Sequence, residues 1–138
     1  MKKNKTIANL VATAAMAVAA IVPSFAQSNL GAACGCPPVA SRTTVLLSSL
    51  GTDVSTPTNV NASVLTAANT ILTCDKVYIL DKKIYVDSLK SLTINPGALI
   101  KGKKYSVQDS ATMLVVQRGA KIIADGTASC PIVFTGIN

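Results

Sequence analysis

The feature that most constrains the fold of this chain is a sequence phrase that occurs twice in its second half. Residues 91–102 read SLTINPGALIKG, and residues 113–126 read MLVVQRGAKIIADG. Each copy places a short apolar run on both sides of a turn. Aligning position i with i+22 pairs Leu92 with Leu114, Ile94 with Val116, Gly97 with Gly119, Ala98 with Ala120, and Ile100 with Ile122. Such a period predicts a coil whose successive turns stack in parallel, each supplying two or three short strands.

The turn inside the phrase has its own chemical signature. Pro96 and Gly97 occupy the central positions of a type II turn, because proline presets the first φ and glycine accepts the positive φ of the next residue. Arg118 replaces the proline in the second copy, but Gly119 keeps the position at which a side chain would clash. We therefore predict structural turns at Pro96, Gly97 and Gly119. The apolar residues around them are expected to point inward, with Leu92, Ile94, Ala98 and Ile100 stacked beneath Leu114, Val116, Ala120 and Ile122.

The second half of the chain contains seven short strand-like segments. They are rich in Val, Ile, Tyr and Thr, and they read KVYIL, KIYV, SLTI, ALIK, TMLVV, KIIA and PIVFT. No stretch with helical spacing of apolar residues interrupts them. The pattern predicts an all-β chain. A small sandwich of antiparallel hairpins is the alternative, but the two-residue loops typical of hairpins are missing.

Residues 1–26 have the composition of a secretory signal peptide. A basic start, MKKNK, precedes the apolar run IANLVATAAMAVAAIV, and small residues end at a cleavage site after Ala26. A membrane anchor is the alternative, but the run is short and rich in alanine. We expect export to the periplasm, the outer surface or the medium, with no stable membrane insertion after cleavage. The predicted organisation is a signal peptide over 1–26, an irregular lead-in over 27–63 and coils over 64–138.

The composition after residue 26 limits the available chemistry. Ten Lys and Arg residues and six Asp residues give a formal charge of +4, and there is no His, Glu or Trp. Missing His removes the commonest general base and metal ligand. The Asp residues stand apart beside turns, and none forms a pair at the spacing that places two carboxylates on one strand face. We therefore predict no catalytic, metal or cofactor site in this chain.

Four cysteines follow the predicted cleavage site, at Cys34, Cys36, Cys74 and Cys130. An even number in an exported chain favours two disulfides, and four cysteines allow three pairings. We favour the disulfides Cys34–Cys36 and Cys74–Cys130, but the sequence alone does not decide between the three pairings. A redox-active CxC pair is less favoured because no neighbouring base would stabilise a thiolate. A zinc site is also less favoured, because one close pair without His fits poorly.

Residues 76–136 resemble the N-terminal coils of secreted bacterial right-handed parallel β-helix proteins with a pectin lyase-like fold. The matching elements are Tyr78, Leu80, Leu92–Gly97, Lys101-Gly102, Arg118–Ala124, Gly126–Ala128 and Pro131–Thr135. The resemblance implies a right-handed parallel β-helix with an N-terminal cap. Members of this family continue for many further coils, whereas this sequence ends after about two. We therefore expect a truncated chain, or one whose open coil end is covered by a partner or by self-association.

The resemblance describes coil geometry and not a site. The function expected is that of an exported structural or adhesive scaffold whose outer face contacts glycans. The alternative is the non-catalytic N-terminal part of a β-helix polysaccharide lyase or hydrolase whose site lies on coils outside this sequence.

Two surface features remain as candidate sites. Lys101, Lys103 and Lys104 are predicted to form a basic face for acidic polysaccharide or cell-surface glycan, together with lysines on nearby coils at Lys82, Lys83, Lys90 and Lys121. Nucleic acid is not expected, because few aromatic residues are present to stack on bases. Ser88 and Ser110 each follow Asp and precede an apolar residue, a pattern resembling the acceptor of a bacterial O-glycosylation system. A solvated outer face and chance recurrence are the alternatives to these two predictions.

Overall fold

The computed structural model describes residues 30–58, 61–104 and 111–137, and nearly all of its regular structure there is short strands. The strands are β1 Thr43–Leu46, β2 Thr52–Asp53, β3 Ala62–Leu65, β4 Asn69–Leu72, β5 Lys76–Leu80, β6 Lys83–Val86, β7 Ser91–Ile94, β8 Leu99–Gly102, β9 Met113–Val116, β10 Lys121–Ile123 and β11 Val133–Gly136. Three short 3₁₀ helices lie at Ala32–Cys34, Val39–Ser41 and Leu47–Leu50. No helix in these ranges is long and apolar enough to cross a membrane.

The strands form three sheets that surround one core. Sheet A has the order β1-β5-β8-β11, sheet B the order β2-β3-β6-β9, and sheet C the order β10-β7-β4. Every neighbouring pair is parallel except β2 and β3, which are antiparallel. Following the chain, β5, β6 and β7 visit the three sheets in turn, and β8, β9 and β10 repeat that order one coil further on. The predicted all-β parallel β-helix is confirmed, and the alternative hairpin sandwich is wrong.

The core consists of aliphatic ladders that run through the stacked coils. Leu92, Ile94, Ala98 and Ile100 are almost fully buried, as predicted for the first copy of the repeated phrase. Leu65, Leu72, Ile84 and Val86 complete the same cluster from the neighbouring strands. Each such side chain contributes about 1.5–3 kcal/mol when it leaves water. A single coil cannot bury its own aliphatic side chains, because they pack against those of the neighbouring coils. The coils are therefore stable only as a stack.

The predicted coil period holds only where no long loop intervenes. Val77 pairs with Leu99 and Thr70 pairs with Leu92, and both pairs have the i, i+22 spacing of the repeated phrase. Between the next two coils the spacing is wider, as in the pairs Ile84 with Leu114 and Leu92 with Ile122. The cause is the segment 103–112, which extends the connection from β8 to β9.

The predicted stacking of the two phrase copies is therefore wrong. Leu92 lies beneath Ile122 and not beneath Leu114, which instead pairs with Ile84. The first copy spans the corner from sheet C to sheet A, and the second spans the corner from sheet B to sheet C. Both phrases have the same local form, but the ten residues between β8 and β9 shift them to different corners.

The two glycines of the phrase have the backbone conformation that the turn requires. Gly97 has φ of 77° and Gly119 has φ of 83°. The Ala98 amide donates to the Asn95 carbonyl at 3.1 Å, which closes the first turn. In the preceding coil, the position opposite Gly119 is held by Leu89, which also has positive φ, at 62°.

The coil begins earlier than the predicted boundary at residue 64. β1 pairs in parallel with β5, and β3 pairs with β6 from Ala62 onward. Part of the predicted lead-in therefore belongs to the first coil, and its polar segment after Gly51 forms the short antiparallel strand β2 at the edge of sheet B. Residues 44–50, TVLLSSL, are recognisable as a possible strand, but β2 is not, because the segment after Gly51 has the polar composition of a turn.

The disulfide pairing differs from the favoured one. Cys34 bonds with Cys130, and Cys36 bonds with Cys74. The described ranges contain no free cysteine. The favoured pairing is wrong because the segment that carries both early cysteines folds back across the coils and meets two turns from different coils.

Candidate functional site

The segment 30–42, here called the N-terminal strap, covers the outer face of sheet A. Val77, Ile79 and Leu99 point outward from β5 and β8, yet all three are buried. Leu30 and Val39 of the strap pack on this cluster from outside. The strap therefore gives the middle of sheet A a second hydrophobic face, and the sheet is buried on both sides.

Arg42 fastens the strap to the coils. Its side chain is only 6% exposed, and it donates to the carbonyls of Pro37 at 2.9 Å, Gly97 at 3.0 Å and Leu30. Burial lowers the pKa of Arg42, while the nearby charge of Asp75 raises it. Sequence reasoning did not select this residue. One feature of the sequence could have indicated a special role for Arg42, which is the only charged residue between positions 27 and 52.

Turns from three coils stack at the corner between sheets C and A, beside the strap. The Gly97 amide donates to the Cys130 carbonyl at 3.2 Å, and the Asn95 amide donates to the Leu72 carbonyl at 2.9 Å. The Thr127–Cys130 turn is closed by two backbone hydrogen bonds of 3.1 Å. Both disulfides join the strap to this corner, so it is the most heavily crosslinked part of the described chain.

A groove of about 540 Å³ opens at this corner, which we call the disulfide groove. Its walls are formed by the strap, the turns and both disulfides, with lining residues Ala33, Cys34, Gly35, Pro37, Thr73, Cys74, Asp75, Asn95, Pro96, Thr127, Ser129 and Cys130. Asp75 is the only charged residue in this lining. The sequence did not indicate a groove here, because its walls come from four separate segments.

A short hydrogen-bond chain holds the acidic side of the groove. The buried Tyr78 hydroxyl accepts from the Thr73 amide at 2.9 Å and lies 3.2 Å from the Thr73 hydroxyl. The Thr73 hydroxyl bonds in turn to Asp75 and is the main reason why the pKa of Asp75 lies below its usual range, a shift that burial opposes. Asp75 is therefore ionised at neutral pH.

The predicted lysines lie at the corner between sheets A and B. Leu80 pairs with Gly102, and the Lys103 amide donates to the Leu80 carbonyl at 2.9 Å, so Lys103 and Lys104 follow one coil beyond Lys82. Lys83 begins β6 at the same corner. Lys101 lies on β8, opposite Ile79 of β5. We call this set, Lys82, Lys83, Lys101, Lys103 and Lys104, the basic corner.

Two acidic residues lie beside the basic corner. Lys82 forms an ion pair of 2.5 Å with Asp53, and the hydrogen bond from Lys82 is the main reason why the pKa of Asp53 is well below its usual value. Asp81 is buried and accepts from the amide of Ser48 at 3.1 Å and from its hydroxyl at 2.6 Å. Asp81 thereby holds the 3₁₀ helix Leu47–Leu50 against the coil.

The other two lysines of the predicted face lie elsewhere. The Lys121 amide donates to the Lys90 carbonyl at 2.9 Å, at the corner between sheets B and C. The predicted lysine face is therefore divided between two corners, because residues 87–90 turn the chain away from β6 before Lys90 reaches the next sheet.

Of the two predicted modification sites, only Ser88 lies within the described residues. Ser88 is exposed in the turn between β6 and β7, and its hydroxyl donates to the Arg118 carbonyl at 3.0 Å. The adjacent Leu89 is 85% exposed. Ser110 lies outside the described residues. O-glycosylation at these serines stays a prediction.

The last described coil leaves part of the core uncovered. Ile122 and Phe134, whose partners Leu92 and Ile100 are buried, are 44% and 55% exposed. Self-association through this end stays a prediction. Within the described ranges, no group of three or more His, Cys, Asp or Glu residues is placed to hold a metal ion.

Comparison with known proteins gives one match. A family model described as a pectate-lyase like beta helix domain matches residues 63–138. The matched range includes β4 to β11 and therefore most of the coil. No curated protein and no solved structure matches the chain.

Proposed function

Because the chain belongs to the family of pectate-lyase-like beta helix domains, we propose that it is an exported, non-catalytic scaffold whose basic corner contacts acidic polysaccharide. The observation that carries this proposal is the convergence of lysines from two successive coils at one corner of the β-helix. Family membership alone does not identify a ligand, since one fold supports many functions.

Export is supported by the disulfides and by the signal-like start of the sequence. Two disulfides fasten the strap to separate turns. Such bonds persist in oxidising compartments and are rare in the cytosol. Together with the basic and apolar segments of residues 1–26, they favour a periplasmic, surface or extracellular protein.

The spacing of the basic corner suits a polymer of regularly placed negative charges. Parallel strands lie about 4.8 Å apart, so lysines at equivalent places on two coils repeat at that interval. Lys103 and Lys104 are exposed, and Lys101 is half-buried. Exposed charges attract a polyanion most strongly at low ionic strength, since the Debye length is only about 10 Å at 0.1 M salt.

The test compares two triple variants of residues 27–138 that lose the same charge. Lys101→Gln, Lys103→Gln and Lys104→Gln remove three of the five lysines of the basic corner, whereas Lys76→Gln, Lys90→Gln and Lys121→Gln remove three lysines from other places. Binding to polygalacturonate is measured at about 50 mM salt, where the Debye length is longer than at 0.1 M and charges are screened less. We expect the first triple to bind about tenfold more weakly and the second to change less than about twofold.

Two outcomes would contradict the proposal. Equal weakening in both triple variants would mean that net charge alone attracts the polymer. Absence of polygalacturonate binding by the unmodified protein at low salt would remove the basic corner as a binding surface. Far-ultraviolet circular dichroism of each variant shows whether the coil is retained.

The alternative function is the non-catalytic start of a polysaccharide lyase or hydrolase. The family description, which names pectate lyase, is the observation that favours it. Neither function predicts unsaturated uronate ends from polygalacturonate incubated with residues 27–138 and Ca²⁺, because neither places a catalytic site in these coils. The encoding DNA beyond residue 138 distinguishes the two: further in-frame coils that carry paired Asp residues with a Lys or Arg would favour the enzyme, and a sorting module without such a cluster would favour the scaffold.

A further inference from the structure

We propose that the disulfide groove is a second binding site, which takes a neutral saccharide unit. The groove lies at the corner between sheets C and A, whereas the basic corner lies between sheets A and B. This inference does not depend on the proposed contact with acidic polysaccharide, because the two sites share no lining residue. Its volume of about 540 Å³ has room for one saccharide unit, and the groove is open to solvent, since lining residues such as Asp75 and Ser129 are exposed.

The walls of the groove are held in place before any ligand binds. Two disulfides hold the strap wall. Cys34 is bonded to Cys130 of one turn, and Cys36 is bonded to Cys74 of another. The Thr127 hydroxyl accepts from the Cys130 amide at 3.0 Å, which orders the third turn. Preorganised walls lower the entropy cost of binding, so a small ligand needs fewer contacts for measurable affinity.

The polar groups of the lining match the hydroxyls of a sugar. Ionised Asp75 is an acceptor, and the Asn95 amide offers both donors and an acceptor. Within the described ranges, the Asn95 side chain makes no hydrogen bond, so its amide is available to a ligand. The hydroxyls of Thr127 and Ser129, 3.3 Å apart, can donate or accept.

The apolar groups and the charge of the lining select a neutral ligand. The rings of Pro37 and Pro96 give apolar surface for the C–H face of a pyranose. Asp75 would repel a uronate carboxylate, and no Lys or Arg is among the lining residues, although Arg42 and Lys76 behind the wall weaken the field of Asp75. One carboxylate is also too few for a Ca²⁺ site, which needs six to eight oxygen ligands.

The test uses nuclear magnetic resonance of residues 27–138 with both disulfides formed. Cellotetraose, xylotetraose and mannotetraose are the neutral probes, and tetragalacturonate is the acidic comparison. We expect at least one neutral probe to shift the side-chain amide signals of Asn95 and the backbone signals of Thr127 and Ser129. Because the neutral probes carry no charge, this shift should persist at high salt, where binding at the basic corner weakens.

Matched variants separate a ligand contact from a structural role. Asn95→Ala should weaken binding of the shifting probe about fivefold or more, and Gln117→Ala, at the equivalent turn position of the second phrase, should change it less than about twofold. Asp75→Asn and the exposed Asp125→Asn form a second pair with the same expectation.

The proposal is overturned if no neutral probe shifts these signals at about 10 mM, ten times a Kd of about 1 mM. It is also overturned if Gln117→Ala weakens binding as much as Asn95→Ala. Shifts confined to the basic corner with tetragalacturonate would support the proposed function and contradict the groove.

Discussion

At the scale of single residues, two glycines with nearly the same φ stand in very different surroundings. Gly97 has φ of 77° and Gly35 has φ of 73°. A Cβ on Gly97 would lie 2.8 Å from the Cys36 sulfur and 3.3 Å from the Gly31 Cα, whereas a Cβ on Gly35 would meet nothing within 4 Å. The backbone strain of a substitution is shared, and the steric cost is specific to Gly97.

We predict that Gly97→Ala lowers the free energy of unfolding by about 2–4 kcal/mol, through positive-φ strain and overpacking together. Gly35→Ala should cost about 1–2 kcal/mol, from strain alone. Urea denaturation of both variants with their disulfides intact measures the difference. Equal losses would show that the crowding at Gly97 relaxes without cost.

Leu89 shows that a turn position need not hold the residue that best fits it. It has φ of 62° at the position where the next coil has Gly119. A leucine in this conformation costs about 1–2 kcal/mol relative to ordinary backbone, and its side chain gains little burial because it is 85% exposed. A search of the sequence for glycine turns therefore finds the turn at Gly119 and misses the equivalent turn at Leu89 in the preceding coil.

At the scale of elements, the strap is held mainly by covalent bonds and by Arg42. The two disulfides link positions 96 and 38 residues apart along the chain. In the chain-entropy account, closing loops of these lengths stabilises the folded state by about 3–5 kcal/mol each. A bridge between Cys34 and Cys36 would have closed almost no loop and would have left the strap without this support.

We predict that trypsin cleavage without reduction leaves three peptides joined, residues 27–42, 43–76 and 122–138. Each holds cysteines that the structure pairs with another peptide. In the Cys34→Ser variant, the first two peptides should remain linked and the third should carry a free thiol. A separate 27–42 peptide with an internal bridge, seen by mass spectrometry, would contradict the observed pairing.

At the scale of the whole molecule, protection from solvent is greatest in the middle coil. β5, β6 and β7 each have a hydrogen-bonded neighbour on both sides in their sheets. The strap covers β5 from outside. By contrast, β10 is an edge strand whose residues are all exposed. Local opening should therefore begin at the edge strands β9, β10 and β11.

We predict that backbone amides of β6 and β7 exchange with deuterium about 100-fold more slowly than those of β10. Hydrogen exchange of residues 27–138, monitored by nuclear magnetic resonance, gives the comparison strand by strand. Equal protection of β10 would mean that a second copy or another partner covers this end in solution.

The local parts of this protein follow from its amino-acid sequence. The seven predicted strands from Lys76 onward correspond to β5–β11, and the two glycine turns have positive φ, because strand propensity and turn chemistry depend on neighbours close by in the chain. The interval of 22 residues between the two phrase copies is not itself a coil period, because the copies lie at different corners. It matches the spacing of coils without an extended connection, as in Val77 with Leu99, only because residues 103–112 lengthen the path between the copies.

Which parts meet is visible only in the three-dimensional arrangement. The extended connection at residues 103–112 moves the second phrase to another corner, so Leu92 stacks on Ile122. The strap brings Cys34 and Cys36 to two different turns and, with them, forms a groove that also includes Asp75 and Asn95. The disulfides join residues 38 and 96 positions apart, and such contacts depend on the length of every intervening loop, which no local pattern contains.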